Sequence, residues 1–281
     1  MRNREFTPTS HDGLYAPGSI TWRVASDNAL MLGGGRALLM QLAHPLVAAG
    51  VAAHSDFLEQ PVRRLERTMK LTLGMVFGTR AEALASARAV NQAHERVTGR
   101  LGESVPGFPA GAPYRAFDPD LLLWVHSTLV DSALETYTTF VGPLTAAERD
   151  AYWRESWAIG RLLGQPDRAF PPTYPDFAEY VDRVVSTQLQ VTEEARRLAR
   201  AVLRPPLRGV PRGMFWPHEV ITAGLLPARL RAQYRLPWGF QRRTAYRGLV
   251  ISFRGVVKAA PTWVRRAAPA RAAEQRLARP S

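Results

Sequence analysis

The chain has 281 residues, 46% of them hydrophobic, a composition that is ordinary for a globular protein with a sizeable core. It contains no cysteine, which excludes disulfides, thiolate metal sites and cysteine nucleophiles. The formal net charge is +13, but Lys70 and Lys258 are the only lysines among 37 basic residues. This arginine excess, with frequent alanine and proline, indicates GC-rich codon usage more than a nucleic-acid partner.

The sequence contains no recognisable targeting or membrane-spanning segment. Its first residues, MRNREFTPTSHDG, are charged and lead into no apolar region of the kind found in signal peptides. No uninterrupted apolar run approaches the roughly 18 residues of a spanning helix. We therefore expect a cytoplasmic protein, with peripheral contact at an anionic membrane as the alternative.

Helical periodicity dominates the chain, and alternating strand patterns with turn dipeptides are essentially missing. Thr79 with Glu82 and Thr145 with Glu148 predict capping boxes, and Asp118 precedes Pro119 as a predicted N-cap. The predicted helices lie near 34–53 (kinked at Pro45), 61–76, 80–98, 119–139, 146–163, 176–188, 193–203, 217–234 and 238–258. The prediction is an all-α fold with one multi-helix domain over residues 19–258, an N-terminal extension (1–18) and a basic, Ala/Arg/Pro-rich C-terminal tail (259–281).

Two stretches early in the chain raise the possibility of a binding site. GGGRALL (33–39) lacks the lysine of a phosphate loop, so its glycines are expected to let helices approach closely, although close approach to a cofactor is equally allowed. HPLVAAGVAAHSDF (44–57) has a histidine at each end of an apolar run, at positions 44 and 54. A buried helix does not need imidazole at both ends.

The predicted helix 61–76 has two stripes of different character. Its main apolar face consists of Val62, Leu65, Met69 and Leu73, whereas Arg64 and Thr68 belong to a mixed stripe. Arginine stays charged in proteins, so a buried Arg64 needs an anionic group or oxygen-bound iron to face.

The predicted helices 80–98 and 119–139 each place one histidine on an apolar stripe. His94 lies among small residues, Ala83, Ala87, Val90 and Val97. His126 lies with Leu122, Val125, Leu129 and Ala133. Taken singly, each histidine is best explained as a buried residue with a hydrogen-bond partner. The alternative is a ligand to a metal or to a flat cofactor, and two inward histidines on separate helices make that alternative harder to dismiss.

Several segments, in this order, resemble the MpaB-like oxygenase family that includes the bacterial rubber oxygenases (latex clearing proteins). They are RALLMQLAHPLVAAGVAAHSDF, RLERTMKLTLGMVFGT, NQAHERVTG, YRAFDPDLLLWVHSTLVDS and YWRESWAIGRLLGQP, which together cover about residues 20–240. The resemblance implies an all-helical fold whose globin-like core holds one haem b and its iron.

The resemblance also implies roles for individual residues. His94 stands at the place of the proximal iron ligand, and Arg64 and Thr68 match the haem-pocket arginine and threonine. Arg67 replaces a lysine that can cap the iron. Because a guanidinium cannot lose its proton, Arg67 cannot ligate iron and would instead hydrogen-bond a propionate or dioxygen.

The same resemblance places His44 and His54 in the pocket wall, where either could supply a second ligand, a base or a hydrogen bond to bound oxygen, and the leading hypothesis adds His126 to the pocket lining. No equivalent of the family's glutamate base is assignable. The leading hypothesis is therefore a haem-b-dependent oxygenase that uses dioxygen on an apolar substrate, for example an isoprenoid, with the oligomeric state left open.

Two alternatives stay open at this point. One is a non-enzymatic helical protein that binds a lipid or small molecule and rests its basic segment 241–275 on an anionic membrane, although a solvated basic face explains that segment more simply. The other is histidine ligation of a non-haem metal. No nucleic-acid partner is expected.

Overall fold

The fold was analysed in a computed structural model, which describes residues 12–55, 61–207 and 209–278, with the side chains of Pro61, Val62 and Arg212 outside the description. The prediction of an all-α fold is confirmed, because helices form nearly all of the regular structure. The helices are α1 (Ile20–Ala25), α2 (Gly34–Leu42), α3 (Pro45–His54), α4 (Pro61–Phe77), α5 (Arg80–Glu95), α6 (Pro119–Phe140), α7 (Ala146–Leu162), α8 (Tyr174–Thr187), α9 (Glu193–Leu203), α10 (Trp216–Leu225), α11 (Ala228–Gln233), α12 (Phe240–Ala259), α13 (Thr262–Arg265) and α14 (Ala268–Leu277).

A small antiparallel hairpin interrupts the helices between α5 and α6. Its strands are β1 (Thr98–Arg100) and β2 (Pro113–Arg115), with Gly99 opposite Tyr114. Each strand has three residues, which is too short for an alternating pattern to be recognised in the sequence.

The predicted helix starts are confirmed in atomic detail. Thr79 and Glu82 form a capping box at the start of α5, as Thr145 and Glu148 do at the start of α7. The Asp118 carboxylate accepts hydrogen bonds from the first backbone N–H groups of α6. These side chains replace the partners that a helix N-terminus lacks, so they fix where each helix begins.

Two helix predictions are wrong in the same way. The predicted kinked helix 34–53 is two helices, α2 and α3, and the chain turns by 104° between residues 28–42 and Pro45–His54. The predicted helix 217–234 is also two, α10 and α11, with Pro227 between them. A proline lacks the backbone N–H that continues a helix, so Pro45 is the first residue of α3 and Pro227 is the N-cap of α11, and neither bends a continuous helix.

The main core lies around α6 and α7. Trp124, Trp153 and Phe177 are among its largest fully buried side chains. The Trp153 ring stacks on Phe177 with centroids 4.2 Å apart, and its Nε1–H donates to the Pro171 carbonyl over 2.7 Å. This region has the close packing of an ordinary protein interior.

The glycines that begin α2 serve close helix packing, as the sequence analysis expected. A Cβ on Gly33 would overlap the Thr136 hydroxyl of α6, and a Cβ on Gly35 would overlap the Thr222 hydroxyl of α10. The absence of side chains here lets α2 lie against both helices.

The described part of the C-terminal segment packs on the rest of the chain. Ala270 and Ala273 of α14 are buried in a cluster with Trp22 and Phe77. Within the described ranges, no single helix combines the length and hydropathy needed to cross a bilayer, and the bent pair 28–42 and 45–54 meets the criterion by length and composition only.

Candidate functional site

Helices α4 and α5 form an antiparallel hairpin that carries four of the predicted site residues. Gly74 lets the helices close near the turn, because a Cβ there would lie 2.6 Å from the Ser86 hydroxyl oxygen. Since the connection is short, the first half of α4, with Arg64, lies beside the last turn of α5, with His94. The fold therefore brings the predicted iron ligand and the predicted pocket arginine to the same end of the hairpin.

His94 is turned inward, as its position on the alanine stripe predicts. Ala83 and Ala87 are buried, and the His94 ring is half-buried with its edge directed at Phe117, 5.9 Å away between centroids. Its Nδ1 atom is buried and has no hydrogen-bond partner. Burial lowers the pKa of His94, so the ring is neutral at pH 7 and has a lone pair to offer.

The α4 residues of the predicted site differ in burial. Arg64 is half-buried, and desolvation lowers the pKa of its guanidinium, which nevertheless stays protonated. Arg67 and Thr68 are exposed. The expectation that Leu65 faces the core is wrong, because its side chain is 42% exposed, and the side chain of Val62 lies outside the described residues. Among the described residues, this half of α4 thus carries a half-buried cation at Arg64 and exposed cationic, hydroxyl and apolar side chains at Arg67, Thr68 and Leu65.

His44 and His54 stand at the two ends of α3 but in different environments. His44 is buried, its Nδ1 has no hydrogen-bond partner, and its ring lies 5.3 Å from that of Phe108. Burial lowers the pKa of His44 to about 4, although the charge of Asp118 acts in the opposite direction. His54 is exposed, and its Nε2 lies 3.0 Å from the Thr98 carbonyl oxygen, which can only accept, so that nitrogen carries the proton.

The connection 98–118, which contains the β1–β2 hairpin, contacts all three of these histidines. Phe108 packs against His44, Phe117 against His94, and Tyr114 against His54. Sequence reasoning missed these aromatic side chains. The only signal was the density of glycine, proline and aromatic residues in GFPAGAPYRAFDP, which is also typical of an ordinary loop.

His126 has a different setting from the other histidines. Its Nε2 lies 3.1 Å from the Ser156 hydroxyl, which itself donates to the Trp153 carbonyl, and its ring lies 6.0 Å from those of Trp153 and Phe170. Burial lowers the pKa of His126 to about 4. These contacts belong to the main core, which matches the simpler explanation for an inward histidine.

The donor set can be compared with what different metal groups need. In the described part of the chain, no three or more His, Asp or Glu side chains are grouped closely enough to hold a metal ion. A haem already carries four nitrogen ligands and requires only an axial side chain, a cation near its propionates and apolar space. His94 and Arg64 match the first two of these requirements by residue type, and Leu65 is an exposed apolar side chain next to Arg64 in the sequence.

The sequence of the chain is similar to those of known proteins. Residues 22–255 match the model of a family described as ER-bound oxygenase mpaB/B'/Rubber oxygenase, catalytic domain. Similar proteins include an uncharacterized protein of Mycobacterium bovis and one of Mycobacterium tuberculosis, each 28% identical over 223 residues that cover 76% of this chain and 83% of the relative. No solved structure matches the chain.

Proposed function

The chain belongs to the ER-bound oxygenase mpaB/B' and rubber oxygenase catalytic-domain family, and from this premise we propose that it is a haem-b-dependent oxygenase that uses dioxygen on an apolar substrate such as an isoprenoid. One observation carries the proposal. His94, a half-buried neutral imidazole whose buried Nδ1 has no hydrogen-bond partner among the described residues, lies at the end of the α4–α5 hairpin. A buried polar atom without a partner needs an explanation, and a bound group is the one that this proposal gives for His94.

The residues around His94 have separate tasks in this proposal. His94 would supply an imidazole to the haem iron, and burial, which lowers its pKa, keeps the ring neutral at pH 7. Arg64 offers a permanent positive charge to a propionate from a half-buried position, where charge-assisted hydrogen bonds are stronger than in water. When bound, the haem iron supplies the oxidative chemistry, and the chain controls its ligand, its polarity and access to it.

Arg67 and Thr68 act as donors and not as ligands. Both are exposed on α4, so they can reach a group that lies over this half of the helix. A guanidinium cannot give up its proton and so cannot ligate a metal, but it can hold a carboxylate with paired hydrogen bonds. The hydroxyl of Thr68 adds one further donor.

The connection 98–118 and the start of α3 provide the substrate side of the proposed site. His44 is buried and neutral against Phe108, so its unpartnered Nδ1 is available to accept or donate one hydrogen bond within an apolar wall. His54 is oriented by the Thr98 carbonyl at the exposed rim. An apolar wall with few polar groups favours an apolar substrate. Because Ser156 engages His126 in the main core, His126 is not included among the proposed ligands.

The proposal is tested by the absorption spectrum of the protein purified with haem supplied. We expect a Soret band, and we expect it to be lost or strongly shifted in His94→Ala. Gln92→Ala, an exposed change on the same turn of α5, is the matched control and should leave the band unchanged. His44→Ala and His54→Ala test for a second axial ligand, since only replacement of a ligand should shift the band of the bound haem.

Two outcomes would defeat the assignment of haem. One is a protein that forms no Soret band when haem is supplied. The other is a His94→Ala variant with the spectrum and haem affinity of the unmodified protein. If haem binds, oxygen consumption with a polyisoprene or prenylated substrate tests the oxygenase activity, and consumption should be lost in His94→Ala but retained in Gln92→Ala.

A further inference from the structure

A long segment near the C-terminal end of the chain carries positive charges only. From residue 220 to residue 273 there is no acidic residue, whereas the same stretch contains eleven arginines and lysines. Helices α10 to α13 and the start of α14 lie in this stretch. A run of basic residues is most simply explained as a solvated surface. A binding surface requires in addition cations without ion-pair partners and suitable side chains between them.

Several of these cations are engaged with the protein. Arg242 pairs with Glu219, Arg265 with Asp27, and Arg254 donates to backbone carbonyls at the end of α6. Others remain available. On α12, Arg247 and Lys258 are exposed and form no ion pair within the described residues.

Packing fixes which side of α12 faces outward. Leu249, Val250, Phe253 and Val257 pack against the cluster of Phe140, Ile221 and Leu225. On the other side, Phe240, Arg247, Ile251 and Lys258 follow one another at intervals of seven, four and seven residues, which places them along a single stripe. We refer to these four residues as the α12 outer stripe.

The apolar members of this surface are unusually exposed. Phe240 is 83% exposed and Ile251 is 72% exposed. Directly after α12, Trp263 is 67% exposed, and it borders an open depression of about 470 Å³ that Arg266 and Arg271 also line. Single exposed apolar residues are common on proteins, but here they alternate with unpaired cations on one helix face.

We propose that the α12 outer stripe, together with Trp263, docks peripherally on a bilayer that contains anionic phospholipids. The cations would lie at the level of the lipid phosphates, and Phe240, Ile251 and Trp263 would enter the headgroup–acyl boundary, as in interfacial amphipathic helices. Residues 220–273 contain no acidic side chain, and the two carboxylates at the borders of this stretch, Glu219 and Glu274, are paired with Arg204 and Arg266. Glu274 lines the depression beside Trp263, where its pairing with Arg266 offsets its charge.

Two other occupants fit the surface less well. A nucleic acid would engage Arg247 and Lys258 through its phosphates, but it would leave the exposed aliphatic side chain of Ile251 against a charged backbone. A second copy of the chain would bring two acid-free basic surfaces together, which is electrostatically unfavourable. A bilayer surface satisfies both the cations and the apolar side chains.

The test is co-sedimentation of the whole protein with vesicles of phosphatidylcholine alone or of phosphatidylcholine mixed with phosphatidylglycerol. We expect binding to the mixed vesicles, weaker binding as salt is raised, and little binding to phosphatidylcholine alone. Replacing both cations, Arg247→Gln with Lys258→Gln, should lower the partition coefficient by roughly 30-fold. Phe240→Ser with Ile251→Ser should lower it as well, since the apolar contact is lost.

A charge-matched control separates this surface from general basicity. Arg88→Gln with Arg168→Gln removes the same charge from exposed positions on α5 and after α7, and should retain most of the binding. Equal loss in this control, or no sedimentation with mixed vesicles at low salt, would overturn the proposal. So would binding to duplex DNA that depends on Arg247 and Lys258 while vesicle binding does not. All the replaced side chains are exposed, so unchanged thermal unfolding is the check on folding, and haem content is independent of the result.

Discussion

Two histidines that look alike in the sequence occupy contrasting regions of the molecule. His126 lies in the main core, where Ser156, Trp153 and Phe170 surround its ring. His94 lies on the α4–α5 hairpin, where its Nδ1 is buried without a partner. Both sit on apolar helical stripes, so the stripe predicts burial but not whether the imidazole is satisfied.

The side chains around the two histidines also differ in size and burial. Around His126 the side chains are large and fully enclosed, with Trp153 stacked on Phe177. The His94 ring is directed at Phe117 and shares its stripe on α5 with the buried Ala83 and Ala87, and Leu65 on the facing half of α4 is 42% exposed. The two imidazoles therefore differ in their hydrogen bonding, since Ser156 engages Nε2 of His126, whereas Nδ1 of His94 has no partner among the described residues.

The largest expected effect on stability comes from a substitution in the main core. Trp153→Ala should reduce the free energy of unfolding by about 3–5 kcal/mol, because it removes a fully buried ring. Leu65→Ala on α4 should change it by no more than about 0.5 kcal/mol in the haem-free protein, because that side chain is already open to solvent. Urea unfolding of both variants measures the difference, and comparable losses would show that the two regions are equally packed.

The next effect is a dependence of stability on pH. The pKa values of His44 and His126 are about 4 in the folded protein, against 6.5 for a free side chain, so the unfolded chain binds more protons in this interval. Stability is therefore fully present above pH 6.5 and lost as pH falls towards 4, by at most about 3 kcal/mol for each histidine.

Unfolding measured at several pH values checks this dependence. In His44→Leu the slope between pH 6.5 and 4.5 should be shallower, because one of the titrating groups is gone. Carboxylates affect the stability at lower pH than these histidines do. A backbone hydrogen bond from Thr145, with Arg23, lowers the pKa of Glu148 to about 2, so its contribution begins to fall only below pH 4.5. A slope that is the same with and without His44 would contradict the assignment.

The smallest expected effect on stability compares an imidazole that has a hydrogen-bond partner with one whose Nδ1 has none. Ser156→Ala leaves the buried Nε2 of His126 without its partner and should cost about 1–3 kcal/mol. His44→Leu replaces an imidazole whose Nδ1 is already unpartnered, so it should be close to neutral for stability at pH 8. Thermal unfolding of the two variants compares them, and a larger loss in His44→Leu than in Ser156→Ala would reverse the interpretation.

Local sequence signals predicted much of the fold. The capping boxes at Thr79 and Thr145 and the N-cap at Asp118 are confirmed because each depends on residues within three positions of the helix start. The breaks at Pro45 and Pro227 were harder to predict, since a proline can bend a helix or begin a new one. Tertiary packing decides between these outcomes.

The site was less predictable than the fold. The inward direction of His94 follows from helical periodicity, and its neighbours Ala83 and Ala87 are buried as expected. The partner of His126, Ser156, lies 30 residues away on another helix, and Phe117 reaches His94 from an irregular connection. No local pattern encodes such contacts, so the sequence could not tell which histidine would be left without a partner.

The α4–α5 hairpin is packed most closely at its turn. Met75, Val76 and Phe77 are buried beside the turn, and the Gly74–Ser86 contact holds the helices together there. Arg64 lies ten residues from Gly74, an arm of about 15 Å at the helical rise per residue. A tilt of α4 by about 10° at the Gly74 contact would therefore displace Arg64 by roughly 2.5 Å, so the position of Arg64 relative to His94 depends on how the helices pack near the turn.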